Sequence, residues 1–216
     1  MWEKLRRVID DFVSEYGFIV RGSAAMKLNG IDTDIIDIDF IARSEDSVFK
    51  PKTVGVNIVN RGSGWVSRRF EVSVGNGRKF PVDVVFSNRQ LSIYNKYGLI
   101  DGDVVTNRGV LVEKVVKIAN YCIVKPDKFN LRFYVPKQVV DVVSLLVNGV
   151  DFKDVFRIVD ELDDVRIVRR FSEIYCCDAV HYGIYMAAYR LGLVSPSVAY
   201  GYFDKLVSEA LSYFKK

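Results

Sequence analysis

Two patterns of apolar residues set what this chain can fold into. Up to about residue 108 they mostly alternate with polar ones, the period of a half-buried strand. Beyond that point they recur three and four apart, the period of a helix. Phe70, Val72 and Val74 alternate with Glu71 and Ser73, and Phe80, Val82, Val84 and Phe86 share one face. Gly75-Asn76-Gly77 between them tolerates positive φ, so residues 65–74 and 79–87 read as a hairpin. Further strands are expected over 18–20, 35–42 and 53–59. Leu5, Val8, Ile9, Phe12 and Val13 form a helical stripe that Gly17 stops, and residues 24–28 make a short helix ended by Asn29-Gly30.

In the second half, Val115, Val116, Ile118 and Ala119 predict one helix, and Val139 to Leu146, capped by Asn148-Gly149, another. Asp151 is the expected N-cap of a helix through Leu162, and Ser195-Pro196 opens the last. Strands first and helices after predict an α+β fold: a mixed sheet with flanking helices over residues 1–108, then a helical domain over 109–216. The soft boundary lies at Asn107-Arg108-Gly109.

Composition narrows the function. No run of 18 or more apolar residues occurs, and Met1 to Arg7 leads into an amphipathic helix without the apolar block of a signal peptide. The expected location is the cytoplasm, with no membrane partner. Three cysteines without an export signal argue against a disulfide framework, and Cys122, Cys176 and Cys177 read as buried structural thiols. With His181 as the only histidine, a zinc site or a histidine-based nucleophile has almost nothing to work with. The net charge of +4 permits nucleic acid without demanding it. Two glutamines and one histidine, beside many valines, isoleucines and charged residues, point weakly to a thermophile.

The chemistry concentrates in Arg21-Gly22-Ser23 and, after thirteen intervening residues, Asp37-Ile38-Asp39. On a strand, Asp37 and Asp39 point the same way with Cα atoms about 6–7 Å apart, while Ile36, Ile38 and Phe40 face a core. Two carboxylates this close repel, and a hard divalent cation between them resolves the repulsion. Gly22 lets backbone approach a ligand, and Ser23 stands at a helix start, where free amides favour an anion. Asp83 is a lone carboxylate inside the apolar run Phe80 to Phe86. It faces a polar partner or a metal, or else solvent on an edge strand. Taken singly, each feature has an ordinary structural reading: a helix cap or a surface aspartate.

A Gly-Ser turn, a spacer of about a dozen residues, an Asp-x-Asp strand and a third carboxylate on a later strand are together similar to the DNA polymerase β-like nucleotidyltransferases. The resemblance covers residues 17–87. It implies that Gly22 and Ser23 hold phosphate. It makes Asp37, Asp39 and Asp83 the catalytic residues and the ligands of two Mg²⁺ ions, with Mn²⁺ as a substitute. The substrate would be a nucleoside triphosphate such as ATP. Within that superfamily the layout resembles the AbiEii-type toxins of toxin–antitoxin systems. Val112 to Ala119 looks like their lysine-bearing helix, and Lys137-Gln138-Val139-Val140-Asp141 looks like their Lys-Asp-x-x-Asp motif, with Gln138 in place of an acidic residue. Lys114, Lys137 and Asp141 are thereby implied in nucleotide binding.

The expected function is transfer of a nucleoside monophosphate from an NTP to a hydroxyl, as in a toxin–antitoxin system with tRNA or RNA as acceptor and a cognate antitoxin as partner. Arg68-Arg69, Arg78-Lys79, Arg166 and Arg169-Arg170 are candidate phosphate contacts. A small-molecule or protein acceptor is the second enzymatic reading. A non-catalytic member that binds nucleotide or a partner is the third.

Overall fold

The computed structural model describes residues 1–52, 57–74, 77–124, 126–162 and 170–213. It is an α+β protein that divides into two compact units, Met1–Thr106 and Asn107–Lys216.

The first unit opens with helix α1 (Trp2–Tyr16), whose C-cap Gly17 takes the left-handed conformation (φ 65°) and donates its N–H to the Val13 carbonyl. Strand β1 (Ile19–Arg21), helix α2 (Gly22–Leu28) and strand β2 (Ile38–Ile41) follow. After a 3₁₀ turn at Asp46–Phe49 come β3 (Asn57–Gly62), β4 (Trp65–Val74) and β5 (Arg78–Ser87). Ser87 then caps α3 (Asn88–Lys96) by accepting from the Gln90 N–H. Two-residue strands β6 (Ile100–Asp101) and β7 (Val104–Val105) close the unit around the Asp101-Gly102-Asp103 turn. Among the described residues the sheet has seven strands in the order β3-β4-β5-β2-β1-β7-β6. It is mixed: β1/β7 and β2/β5 run parallel, and the other pairs antiparallel.

Alternation along the strands decides which face is dry. Ile38, Phe40, Val82, Val84, Val66 and Phe70 are fully buried on one face. Helix α1 lies there, its Phe12 ring stacked on Phe40 at 5.4 Å and near Phe70 at 6.0 Å, with Phe18 against Phe40 at 5.5 Å.

Buried on that same apolar face is Arg68, 7 % exposed. Its Nε donates to Asn57 Oδ1 (2.8 Å), and its Nη1 donates to the carbonyls of Val48 and Pro51 (3.2 and 3.1 Å). The guanidinium packs over the Phe70 ring. Arg68 therefore ties the Asp46–Phe49 turn to β3 and β4, and the expectation that it contacts phosphate is corrected: the side chain is buried, with Nε and Nη1 donating inside the protein.

The second unit is helical: α4 (Asn107–Ala119), π-helical turns at Asn120–Val124 and Asn130–Tyr134, α5 (Val135–Val147), α6 (Val155–Leu162), a 3₁₀ turn at Phe171–Cys176, α7 (Asp178–Arg190) and α8 (Pro196–Tyr213). Its core includes Val110, Leu111, Val139, Val142, Phe156, Phe171, Ile184, Phe203 and Leu206, all at most 1 % exposed. His181 is structural, bridging the Tyr200 hydroxyl and the Tyr175 carbonyl at 2.8 Å each. No helix among the described residues is long and apolar enough to cross a membrane.

Two expected element bounds move. Helix α6 begins at Val155 and not at Asp151: Asp151 accepts from the Lys153 N–H in a local turn, and Asp154 is left-handed (φ 65°), so the chain cannot enter the helix earlier. Strand β3 starts at Asn57, and the earlier part of the expected 53–59 strand, with Gly75-Asn76 of the hairpin turn, lies outside the described residues. The division between the two units falls at Thr106 and Asn107, beside the expected boundary at Asn107-Arg108-Gly109, and these three residues open α4.

Removing the Arg68 guanidinium strands the buried carbonyls of Val48 and Pro51. Arg68→Met is expected to cost about 2–4 kcal/mol of stability, read as a lower urea midpoint at unchanged slope.

Candidate functional site

Strand register builds the site. Parallel pairing of β2 and β5 sets Asp39 beside Asp83, antiparallel pairing of β1 and β2 sets Arg21 beside Asp39, and the β4–β5 hairpin sets Arg69 beside Asp83. One row across four strands therefore reads Arg21, Asp39, Asp83, Arg69, on the face opposite the Phe12–Phe40 core. Arg69 Nη1 lies 3.6 Å from Asp83 Oδ2, with 46 % and 34 % of the two side chains exposed.

Asp37 joins this row from outside the sheet. Strand β2 begins only at Ile38, and Asp37 occupies a bend before it. The expectation of a strand from 35 is corrected for a physical reason. Strand β1 pairs with β2 no further than Arg21↔Asp39, because the chain turns into α2 at Gly22, so nothing holds residues before Ile38 in a ladder on that side. Ile36, expected in the core, is 45 % exposed for the same reason. Asp37, Asp39 and Asp83 nonetheless converge. Each offers a carboxylate oxygen, these lie within 4.8 Å of one another, and all three residues are half-buried. Among the described residues no other group of histidine, cysteine, aspartate or glutamate has this metal-holding geometry. Three carboxylates at this spacing match the needs of a hard divalent cation.

Gly22 and Ser23, the expected phosphate turn, sit at the start of α2 and are buried, Ser23 at 5 % exposure. Gly22 has φ +64°, and a Cβ there would stand 2.6 Å from Asp39 Oδ2. The residue must be glycine both for its backbone and because the Asp39 carboxylate fills the space a side chain would take. Helix α2 has only seven residues, so any anion held here is held by the amides of its first turn.

In the second unit the expected nucleotide-binding residues gather as a separate cluster. Lys114, on α4, is 2 % exposed, and its Nζ lies 2.7 Å from Asp141 Oδ2 on α5. Lys137 donates to the same oxygen at 3.0 Å with 15 % of its side chain exposed. Two ammonium groups on one buried carboxylate form a tightly held cationic triad. Burial pushes the Lys114 ammonium down to about 8, against the opposing attraction of Asp141. Gln138, next to Lys137 and 4 % exposed, buries an Oε1 atom with no hydrogen-bond donor.

The remaining candidate phosphate contacts are occupied elsewhere or not described. Lys79 pairs with Glu71 (3.3 Å), Arg170 with Glu173 (2.7 Å), and Arg78 donates to the Met1 sulfur. Arg166 and Arg169 lie outside the described residues. The role of Arg69 beside Asp83 was the residue-level feature that sequence reading missed. The signal was the hairpin register: five steps back from Val74↔Arg78 reach Arg69↔Asp83. No protein-family model matches this sequence, and no curated protein is significantly similar to it.

Two outcomes follow from this geometry. Gly22→Ala is expected to lower stability by about 1–3 kcal/mol, and an accompanying Asp39→Ala, which removes the colliding oxygen, to recover part of that loss in a double-mutant cycle read by thermal unfolding. Between about pH 8 and 10.5 Lys114 holds fewer protons in the folded chain than in the unfolded one, so its contribution to stability rises with pH across that window. Raising the pH from about 7.5 to about 9.5 should stabilise the wild type relative to Lys114→Met, in which Asp141 keeps Lys137, by roughly 1–2 kcal/mol.

Proposed function

We propose that this chain is a Mg²⁺-dependent nucleotidyltransferase that moves a nucleoside monophosphate from an NTP to a hydroxyl. The observation that carries the reading is the convergence of Asp37, Asp39 and Asp83, drawn from a bend and two strands, within 4.8 Å and against Gly22. The seven-stranded mixed sheet with flanking helices is compatible with the nucleotidyltransferase-like fold that the motifs resemble.

Asp37, Asp39 and Asp83 would hold the metal, Mg²⁺ or Mn²⁺. When bound, it would neutralise triphosphate charge and stabilise the attacking and leaving oxygens of an in-line displacement. The chain does the rest. Gly22 brings backbone amides next to the carboxylates without a side chain in the way, leaving Gly22 and Ser23 to receive phosphate oxygens. Asp83 takes the proton of the acceptor hydroxyl as its oxygen bonds to the α-phosphorus and the bond to pyrophosphate breaks. Arg69, 3.6 Å from Asp83, holds that carboxylate in place and offsets its charge until cation and substrate arrive. In the second unit Lys137 is the proposed phosphate contact, with Lys114 and Asp141 fixing its position.

RNA, including the end of a tRNA, is the acceptor to test first. Trp65, 42 % exposed, alternates onto the same sheet face as Arg69 and Asp83, and a face that carries both an exposed ring and an exposed cation suits single-stranded nucleic acid. An antitoxin partner belongs to the same reading.

Incubation with each labelled NTP, Mg²⁺ and total RNA or small hydroxyl compounds should give labelled product with the wild type. Asp37→Ala/Asp39→Ala should reduce incorporation to background, and Asp83→Asn should reduce it by about 10²–10⁴-fold. Equal incorporation by wild type and the double variant would overturn the assignment. Label on a small compound and none on RNA would replace RNA as the acceptor.

A further inference from the structure

The three cysteines of the chain are free, and the fold brings them to one place in the helical unit. Cys122 lies in the π-helical turn Asn120–Val124 that follows α4. Cys176 ends the Phe171–Cys176 turn, and Cys177 joins that turn to α7. The expectation of buried structural thiols holds for none of them fully: Cys122 and Cys177 are half-buried and Cys176 is exposed. The Sγ atoms of Cys122 and Cys177 are 3.2 Å apart, although the residues are 55 positions apart in sequence. A covalent S–S bond needs about 2.05 Å, so a movement of about 1.2 Å joins them.

A groove reaches one member of this pair. A groove of about 850 Å³ opens onto Cys176 and Cys177 and is lined further by Lys128, Arg132, Phe133 and Tyr182. Cys122 is not in its wall. Phe133 and Tyr182 are 55 % and 57 % exposed, and the two cations outnumber the one carboxylate of the lining, Asp178. A small anionic molecule with a reactive sulfur fits these surroundings. Burial and the neighbouring Cys177 push the Cys122 thiol up, which keeps its proton on the inner sulfur. A reagent in the groove meets Cys176 and Cys177, and of these two Cys177 is the one whose sulfur lies against Cys122.

We infer that Cys122 and Cys177 are a reversible thiol–disulfide pair, oxidised through this groove by a small anionic disulfide of the glutathione class. Cys177 attacks one sulfur of the incoming disulfide, and one small thiol leaves. Cys122, which keeps its proton until this point, passes it to the departing small thiolate as its sulfur attacks Cys177 Sγ in the mixed disulfide, and the second small thiol leaves. Two protein thiols are oxidised to one disulfide, and one small disulfide is reduced to two thiols, with both protons accounted for. The product links the end of α4 to the start of α7 and closes a long loop, which restricts the unfolded chain.

The test is incubation of the reduced full chain with oxidised glutathione, trapping of remaining thiols with a maleimide, and non-reducing peptide mass spectrometry. The expected result is a cross-linked peptide pair containing Cys122 and Cys177, with Cys176 outside it as a maleimide-labelled thiol or a glutathione adduct. The melting temperature should rise by roughly 5–15 °C and return on reduction. Cys122→Ala should stop at a stable glutathione adduct on Cys177, whereas Cys176→Ala should still form the cross-link. A cross-link that uses Cys176, a disulfide between two chains, or three thiols that all remain reactive overturns the inference.

Discussion

Strands β2 and β5 run parallel and in register, and that pairing brings two carboxylates side by side where electrostatics alone would part them. What holds Asp39 and Asp83 there is the opposite face of the same strands. Ile38, Phe40, Val82 and Val84 are fully buried under the aromatic cluster of Phe12, Phe18 and Phe70. Burial of each such side chain is worth about 1.5–3 kcal/mol, enough in sum to outweigh repulsion between half-exposed charges. Arginines at both ends of the row, Arg21 and Arg69, reduce that repulsion further. The site is thus a product of the core, and its charges sit where the sheet's period puts them.

The helical unit meets an electrostatic problem of another kind. Lys114, Lys137 and Asp141 share one buried region, where taking ions out of water costs several kcal/mol apiece and their attraction returns it only with close geometry. The distances of 2.7 and 3.0 Å provide that geometry. A triad of this form contributes placement more than stability, consistent with a role in holding Lys137 at the edge of solvent.

Sequence alone made much of this legible. Alternation in Phe70 to Val74 and Phe80 to Phe86 placed the hairpin, and the carboxylates stood out because they interrupt apolar runs. What periodicity could not reach was anything set by a neighbour distant in sequence. Residues 35–37 carry a strand-like pattern, yet they have no partner strand on one side once β1 ends at Gly22, so Asp37 approaches from a bend. Arg68 and Arg69 are adjacent and chemically alike, but alternation sends one into the core and the other to the site, and only the register tells which. Helices α3 and α7 were not anticipated: α7 mixes Tyr182, Tyr185 and Tyr189, all exposed, with its buried positions, which blurs the apolar stripe. The sulfur pair was invisible because 55 positions separate its members.

Parallel pairing also has a temporal side. The β4–β5 hairpin can close locally, whereas Asp39 and Asp83 are 44 positions apart, and joining β2 to β5 must pay the entropy of a much longer loop. Mutual repulsion of the carboxylates therefore enters the energy of the chain only at that late, nonlocal step, when the Phe40 and Phe70 surfaces meet and supply the compensation. The nascent hairpin carries Asp83 already neutralised by Arg69 across the ladder. Carboxylate repulsion is thereby deferred until the apolar face of β2 and β5 is covered, which keeps the burden of the site off the early steps of folding.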